Sequence, residues 1–283
     1  MKIKIIALTV AASLIPLIAS AHSDHDHVSD SQIKTQRAKL EKNTAGKGFG
    51  PQSPRDIDSI KGNNSRAFSA APAYTTMNLC NIHFHQNAEH KGGEFTKYAG
   101  NGDGHGFQSG YIYSGQLSTQ EKKPTKAAIC PSKHGVLNSG DTIEVHYVHS
   151  TAQVTPGPTL GACLSDSIGN PQLRVETQVY VLVNDNNALD FSMLTEHGVS
   201  NGYQQALNIP SDTGTPVQYA GSTTGPGYNE KGSPFQVAWS VRPQVAKVNI
   251  ETVGKWCEDN IFEEDHAHGV RNLVVNPKLL SAN

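Results

Sequence analysis

The stretch that most constrains the fold is a short run from Asn81 to His85 in which polar and apolar residues alternate. Ile82 and Phe84 favour extended backbone, so the run is predicted to form a β-strand. Because successive side chains of a strand point to opposite faces, Asn81, His83 and His85 share one face. Serine or threonine would suit the polar face of a half-buried strand. Two imidazoles two residues apart on that face therefore suggest ligands for one metal ion.

A second predicted strand, residues 142–149, supplies the histidine that would complete a three-histidine site. Alternation places Glu144 and His146 on one face, and His146 is the best candidate for the third ligand. A metal-bound histidine usually donates its second ring N–H to a carboxylate or carbonyl oxygen. Glu144 has the chemistry and the position to accept from His146, and Asn81 could do the same for His83.

These segments resemble the zinc-site segments of carbonic anhydrases. Four motifs follow one another in the order of that family: His83-Phe84-His85 with Glu89-His90, Glu144-Val145-His146-Tyr147-Val148-His149, Tyr219-Ala220-Gly221-Ser222-Thr223-Thr224-Gly225-Pro226, and Val237-Ala238-Trp239. The short gap before the Glu-His pair is most similar to the delta class, since the alpha class has a longer loop there. The resemblance spans residues 74 to 250, and one residue is missing before the threonine pair relative to the alpha pattern.

The resemblance implies an enzyme that hydrates CO2 reversibly to bicarbonate and a proton. It implies one Zn2+ per chain on His83, His85 and His146, although Co2+ or Cd2+ could also occupy three histidines. In carbonic anhydrases the zinc-bound water ionises near pH ~7, and the metal-bound hydroxide attacks CO2.

The resemblance also implies supporting roles near the metal. Thr223 or Thr224 would accept the hydrogen bond of the hydroxide, and the family order favours Thr223. Glu89 would orient that threonine. The apolar wall that holds CO2 would be formed by Val148, Val237 and Trp239. The proton carrier is not singled out, because the candidates His105, His134 and His197 all lie in predicted loops.

The chain from Tyr74 onward reads as short strands separated by Gly, Pro, Asn and Ser clusters. Helical signal is sparse, and Thr252 to Glu264 is its main candidate. The predicted strands are 78–85, 110–116, 142–149, 173–184, 216–220 and 235–241, with a weaker one at 246–250. The pattern predicts a mainly β (β-rich α+β) fold, and the resemblance implies a single domain around a twisted, mostly antiparallel sheet like that of alpha-type carbonic anhydrases.

The N-terminal part divides into two predicted segments. Residues 1–21 combine a short basic start, an apolar run and a small-residue end, which is typical of a secretory signal peptide. Residues 22–70 are predicted to form a polar, partly disordered arm, and residues 71–283 the catalytic domain. The formal charge of −2 argues against a nucleic-acid partner, and no later segment is apolar enough to span a membrane. Nothing in the sequence specifies an oligomeric state.

The four cysteines support export to the periplasm or the outside of the cell. An even number in an exported chain predicts two disulfides, with three possible connectivities. The residues are Cys80, Cys130, Cys163 and Cys257.

The first alternative to a carbonic anhydrase is a metal-binding cupin. His83-Phe84-His85 followed by Glu89 also fits the start of a cupin motif, in which Glu89 would be a ligand. However, Met77 and Thr96 stand where that motif has glycines, and His146 lacks the preceding Pro-x-Gly.

The second alternative is a secreted zinc-capture protein without CO2 hydration activity. Its capture tracts would be His22 to His27 and the pair His266 and His268, both rich in metal-ligating residues. The segment around the second pair is predicted to be an exposed polar turn, with a secondary metal site as the alternative interpretation. The threonine pair and Trp239 would have no purpose in such a protein.

Overall fold

The computed structural model of the protein describes residues 27–59, 61–223 and 226–282. It is 32% strand and 16% helix, which confirms the mainly β prediction. The helices and strands, in chain order, are α1 (Asp30–Thr44), β1 (Asn78–Gln86), β2 (Lys97–Asn101), β3 (Ser109–Ile112), β4 (Ile129–Ser132), β5 (Gly135–Leu137), β6 (Thr142–Ser150), β7 (Leu173–Val183), α2 (Phe191–Leu194), β8 (His197–Ser200), β9 (Tyr203–Ala206), β10 (Val217–Gly221), β11 (Val237–Asn249) and α3 (Ile250–Glu258).

Five strands form the central sheet, in the order β1-β6-β7-β11-β10. The pairs β1/β6, β6/β7 and β10/β11 are antiparallel, and β7/β11 is parallel. The sheet is therefore mixed, with antiparallel pairs in the majority, as expected. Strands β2 and β3, β4 and β5, and β8 and β9 form two-stranded sheets at its periphery.

Apolar side chains cover both faces of the central sheet. One core contains Phe84 and Tyr147, against which Trp256 of α3 packs. The other contains Val148 and Trp239. Strand β7 lies between the two cores and is buried along almost its whole length, which explains its nearly continuous apolar sequence.

Strand β11 joins the predicted strands 235–241 and 246–250 into one strand. Its register against β7 shifts between Val241 and Val245. Pro243 lies inside this break, where it cannot donate to a ladder hydrogen bond. Helix α3 follows directly, because the Asn249 side chain accepts a hydrogen bond from the backbone N–H of Glu251 at 3.0 Å and caps the helix.

The N-terminal segment that the structure describes packs against the C-terminal segment. Helix α1 buries Ile33 and Leu40, and Leu40 lies in a small core with Leu279. After the helix, the chain continues along the C-terminal residues, where the backbone N–H of Gln52 donates to Leu279 O at 2.7 Å. Arg55 is fully buried. The predicted signal peptide, residues 1–21, lies outside the described residues.

The four cysteines form two disulfides, Cys80–Cys163 and Cys130–Cys257, which confirms that prediction. Disulfides of this kind are typical of proteins in oxidising compartments. Among the described residues, no helix has the length and apolar character needed to cross a membrane.

Candidate metal centre

Three histidines converge on one face of the central sheet. His83 and His85 point from β1, and His146 points from β6, where it is the direct register partner of His83. One ligand atom from each lies within 4.8 Å of the others. His83 Nε2 and His146 Nδ1 are 3.2 Å apart. The strand alternation read from the sequence therefore brings the three predicted ligands together.

In each ring, the nitrogen that points away from the other two histidines, called the outer nitrogen, is hydrogen-bonded to an acceptor oxygen. His83 Nδ1 lies 2.6 Å from Asn81 Oδ1, His85 Nδ1 2.9 Å from the Gly269 carbonyl oxygen, and His146 Nε2 2.6 Å from Glu144 Oε1. These partners can only accept, so each outer nitrogen carries the proton and donates. The inner nitrogens, Nε2 of His83 and His85 and Nδ1 of His146, are then unprotonated and turned toward one another.

This arrangement fits a tetrahedral metal ion. Two lone pairs 3.2 Å apart repel unless a cation lies between them. Ligand nitrogens about 2.0–2.1 Å from zinc would be about 3.3 Å apart at a tetrahedral edge. The observed separation and the three neutral donors therefore suit Zn2+.

Burial keeps the three imidazoles in the neutral form that a metal requires. It lowers the pKa of His83 well below its usual value, and neighbouring histidines lower it further. It lowers the pKa of His85 to about 4. Burial also lowers the pKa of His146, and the hydrogen bond that His146 donates to Glu144 only partly offsets this. Burial thus favours the neutral ring in all three, so that the inner nitrogen is left free to bind a metal.

Glu144 is fully buried and connects the histidine cluster to a longer hydrogen-bond network. Its Oε1 also accepts from His90 Nδ1 at 2.7 Å, and its Oε2 accepts from the backbone N–H of His90 at 3.1 Å. On the other side of the ring, the Tyr219 hydroxyl donates to His90 Nε2 at 2.6 Å and lies 2.5 Å from Ser53 Oγ. Burial alone would raise the pKa of Glu144, but His90 and His146 outweigh it and hold the pKa far below its usual value.

A second group of possible ligand atoms comprises His90, Glu144 and His146. The hydrogen bonds just described already occupy both nitrogens of His90 and both oxygens of Glu144. This group is therefore better described as the support of His146 than as a metal site.

Comparison with known proteins decides the family. The model of the delta carbonic anhydrase family matches residues 74–252, well over half of the chain. The chain belongs to the delta carbonic anhydrase family. It is accordingly a carbonic anhydrase, an enzyme acting on CO2 and bicarbonate. No curated protein matches the chain.

Several solved carbonic anhydrases are distantly similar to the chain. An alpha-carbonic anhydrase from Photobacterium profundum is 16% identical, with 81% of this chain and 88% of that chain covered and a TM-score of 0.27. A hyperthermostable carbonic anhydrase identified from an active hydrothermal vent chimney is 16% identical, with coverages of 81% and 86% and a TM-score of 0.28. Such low TM-scores indicate poor backbone superposition, so the assignment rests on the family model.

Glu89, predicted to support catalysis in this carbonic anhydrase, lies beside the histidines. It is buried, its Oε1 accepts from the backbone N–H of Arg271 at 2.9 Å, and the same atom is 3.8 Å from His85 Nδ1. Burial raises the pKa of Glu89. Thr223 is buried just beyond β10, and no hydrogen bond between described residues joins it to Glu89. Thr224 lies outside the described residues.

The three predicted wall residues share the site face of the sheet. Val148 is two residues beyond His146 on β6, and Trp239 lies two strands away in the same register row. The Trp239 and His146 rings are 5.0 Å apart between centroids. Val237 is buried in the same core. An apolar surface therefore borders the histidine cluster on one side.

The predicted proton-carrier candidates are placed elsewhere. His134 stacks on Phe107, with ring centroids 3.4 Å apart, and His197 packs edge-on against Phe262. His105 is exposed. Among the described residues, none of these three makes a ring contact with His83, His85 or His146.

Sequence reasoning missed the C-terminal segment around His268. Instead of forming an exposed turn, His268 pairs with β1, donating its N–H to Phe84 O and accepting from Gln86 N–H. Its ring lies 5.7 Å from that of His83 and 5.8 Å from that of His85. The repeated His-x-His spacing was the available signal. The Gly269 carbonyl had none, because any residue type carries a backbone carbonyl.

Proposed function

We propose that His83, His85 and His146 hold a Zn2+ ion at which this carbonic anhydrase hydrates CO2 to bicarbonate and a proton. The observation that supports this most is the 3.2 Å separation of His83 Nε2 and His146 Nδ1. In each of these rings the other nitrogen carries the proton, so the two nitrogens that face each other both have a lone pair to offer. When bound, zinc lowers the pKa of water in its open fourth position to near ~7, a value known from this same enzyme family.

The protein's residues would orient the ligands and exclude competing water. Glu144 fixes the His146 tautomer, and Asn81 does so for His83. The buried side chains of Val148, Val237 and Trp239 would provide the dry wall on which CO2 rests.

The threonine pair would aim the attacking oxygen. One hydroxyl, from Thr223 or Thr224, would accept a hydrogen bond from that oxygen and donate its own proton to Glu89. The buried position of Glu89 beside His85 supports this role, and the family order favours Thr223.

The same geometry disfavours a cupin site. In a cupin Glu89 would bind the metal, but here Glu89 is outside the group of converging ligand atoms and is engaged by Arg271. A zinc-capture protein would bind metal without turnover, so activity separates it from the proposed enzyme.

His146→Ala tests the assignment. We expect purified parent protein to contain one zinc per chain and to hydrate CO2 in a stopped-flow pH-indicator assay, and the variant to lose both. His197→Ala is the matched control, because its ring packs on Phe262 away from the cluster. Full zinc content and full rate in His146→Ala would show the site to be wrong. Zinc binding without hydration in the parent would support the capture alternative.

We also propose that residues 1–21 are a signal peptide removed on export. The two disulfides support an oxidising destination, either periplasmic or extracellular. N-terminal sequencing of the exported protein should begin at His22, and a chain that keeps Met1 would contradict the proposal.

A further inference from the structure

A buried polar segment of the N-terminal arm lies against the end of β10. Gln52, Ser53 and Arg55 are each no more than 1% exposed, although all three side chains are polar. A buried polar group costs free energy unless it is hydrogen-bonded. Each of these side chains is bonded to β10 or to the residue that follows it: Gln52 to Ser222, Ser53 to Tyr219, and Arg55 to the Ala220 carbonyl oxygen. The arm therefore packs where the chain leaves β10 and continues to Thr223.

The side-chain amide of Gln52 joins three separate parts of the chain. Its Oε1 accepts from the Ser222 hydroxyl at 3.1 Å and from the backbone N–H of Ser233 at 2.9 Å. Its Nε2 donates to the carbonyl oxygens of Gly50 at 2.8 Å and of Ser233 at 3.3 Å. Only an amide side chain supplies a donor and an acceptor side by side in this way. Gln52 thus pairs with the Ser233 backbone in both directions while it holds Ser222.

Ser222 connects this amide to the proposed catalytic threonine. It directly follows β10 and directly precedes Thr223, and both residues are buried. Among the described residues, Gln52 is the one side-chain hydrogen-bond partner of the Ser222 hydroxyl. The bond to Gln52 therefore limits the backbone positions that Thr223 can adopt.

The same part of the arm also holds Glu89, the proposed partner of the threonine hydroxyl. Arg271 donates its backbone N–H to Glu89 Oε1 at 2.9 Å, and its guanidinium donates to the Ser53 carbonyl oxygen at 2.8 Å. Ser53 is the neighbour of Gln52 in the chain. Two adjacent arm residues thus connect to the Thr223 segment and to Glu89, so the arm sets their relative position.

We propose that Gln52 is a positioning residue for CO2 hydration, which acts through Ser222 to fix Thr223 relative to Glu89. This inference rests on the proposed function, in which a threonine hydroxyl donates to Glu89 and accepts a hydrogen bond from the attacking oxygen. Loss of the Gln52 amide leaves the buried Ser222 hydroxyl and Ser233 N–H without their acceptor, which favours a shift of the segment. A shift of about 1 Å in a catalytic group can lower turnover ~10²-fold.

The first test compares Gln52→Met and Ser222→Ala with the parent at equal zinc content. We expect both variants to lower the stopped-flow rate of CO2 hydration per bound zinc, by up to ~10²-fold for Gln52→Met. Because both substitutions break the same bond, the double variant should match Gln52→Met. Losses that multiply in the double variant would show that Gln52 does not act through Ser222 and would overturn the inference.

Gln178→Met is the matched control for a general loss of packing. Gln178 is also buried and also bonded at both ends of its amide, to Thr213 Oγ1 and to the Pro210 carbonyl oxygen at 2.8 Å each. It is the register partner of Val145, whose side chain lies in the core that contains Phe84, on the sheet face away from the histidines. Gln178→Met should lower the free energy of unfolding but keep the parent rate per bound zinc. Equal slowing in Gln178→Met and Gln52→Met would overturn the inference.

The second test needs no metal. In metal-free protein, peptides that contain Thr223 should exchange their amide hydrogens faster in Gln52→Met and Ser222→Ala than in the parent, as measured by mass spectrometry. Gln178→Met should leave this exchange unchanged. Parent-like exchange in both site variants, or parent-like turnover in both, would overturn the inference. If the zinc-loaded parent itself does not hydrate CO2, the proposed function fails instead, and the exchange rates of the metal-free protein are independent of that outcome.

Discussion

Replacing Glu144 by Gln tests whether the buried carboxylate tunes the metal site. In the parent, Oε1 accepts from both His146 Nε2 and His90 Nδ1, while Oε2 accepts the His90 backbone N–H. The amide of Gln has one acceptor oxygen. If that oxygen faces the two rings, the new NH2 group opposes the His90 N–H, and two donors meet in a buried space. The variant therefore loses one hydrogen bond and the negative charge that makes His146 a stronger ligand.

The expected effect is a ~10–100-fold loss of metal affinity, as for other outer partners of metal ligands. It corresponds to about 1.4–2.7 kcal/mol of binding free energy. The assay is competition for Zn2+ between metal-free protein and a chelator of known affinity, with far-UV circular dichroism to verify the fold.

Glu176→Gln serves as the control for this experiment. Glu176 lies on β7 as the register partner of Tyr147, on the opposite face of the sheet, and bonds Arg174 Nε at 2.6 Å. Its replacement removes a carboxylate from the same sheet without touching the histidine cluster. Equal zinc affinity in Glu144→Gln and the parent, or an equal loss in Glu176→Gln, would refute the reasoning.

Three further predictions concern stability and turnover. Replacing Cys80 and Cys163 by Ser opens a link between residues 83 apart, and we expect denaturant unfolding to show a loss of about 2–5 kcal/mol; a loss near zero would contradict this. Burial lowers the pKa of His149 to about 3, so the unfolded chain binds the proton more readily and the folded protein should lose stability as pH falls from about 6.5 toward 3. In acid-unfolding measurements, His149→Phe should reduce the slope of unfolding free energy against pH by about 1.4 kcal/mol per pH unit. An unchanged slope would contradict this prediction. At equal zinc content, changing the threonine that orients the attacking oxygen to Ala should lower the rate of CO2 hydration ~10²-fold. Thr223→Ala and Thr224→Ala should therefore differ sharply in rate. Parent-like rates in both variants would show that neither threonine orients the oxygen.

The long strands of the site were predictable because their signal is local. Alternation with a period of two placed His83 and His85 on one face of their strand, and Glu144 and His146 on one face of theirs. The observed strands β1, β6 and β7 begin where the sequence predicts and end within one residue of the predicted limits. Short strands such as β4 and β8 were missed, because three or four residues carry too little alternation to stand out.

The remaining parts of the site depend on contacts between distant segments. The carbonyl of Gly269 and the N–H of Arg271 support His85 and Glu89 through backbone atoms, which carry no residue-type signal. His268 looked like part of a polar turn because its pairing partner, β1, is more than 180 residues earlier in the chain. Local pattern cannot reveal such pairing, whereas Asn81 and Glu144 accept hydrogen bonds from histidines in their own strands.

Residues of the predicted N-terminal arm contact the hydrogen-bond network of the candidate site, although the predicted catalytic domain begins only at residue 71. The low content of large apolar residues there suggested an arm, yet Ser53 lies 2.5 Å from the Tyr219 hydroxyl, and the Arg55 guanidinium covers the Tyr219 ring at 4.0 Å. Tyr219 in turn bonds His90, which bonds Glu144. Because Ser53 and Arg55 are polar residues buried in a hydrogen-bonded network, hydrophobic patterning gave no sign of these contacts. The contacts that hold Tyr219, and through it His90 and Glu144, thus include residues that precede the strands carrying the proposed metal ligands.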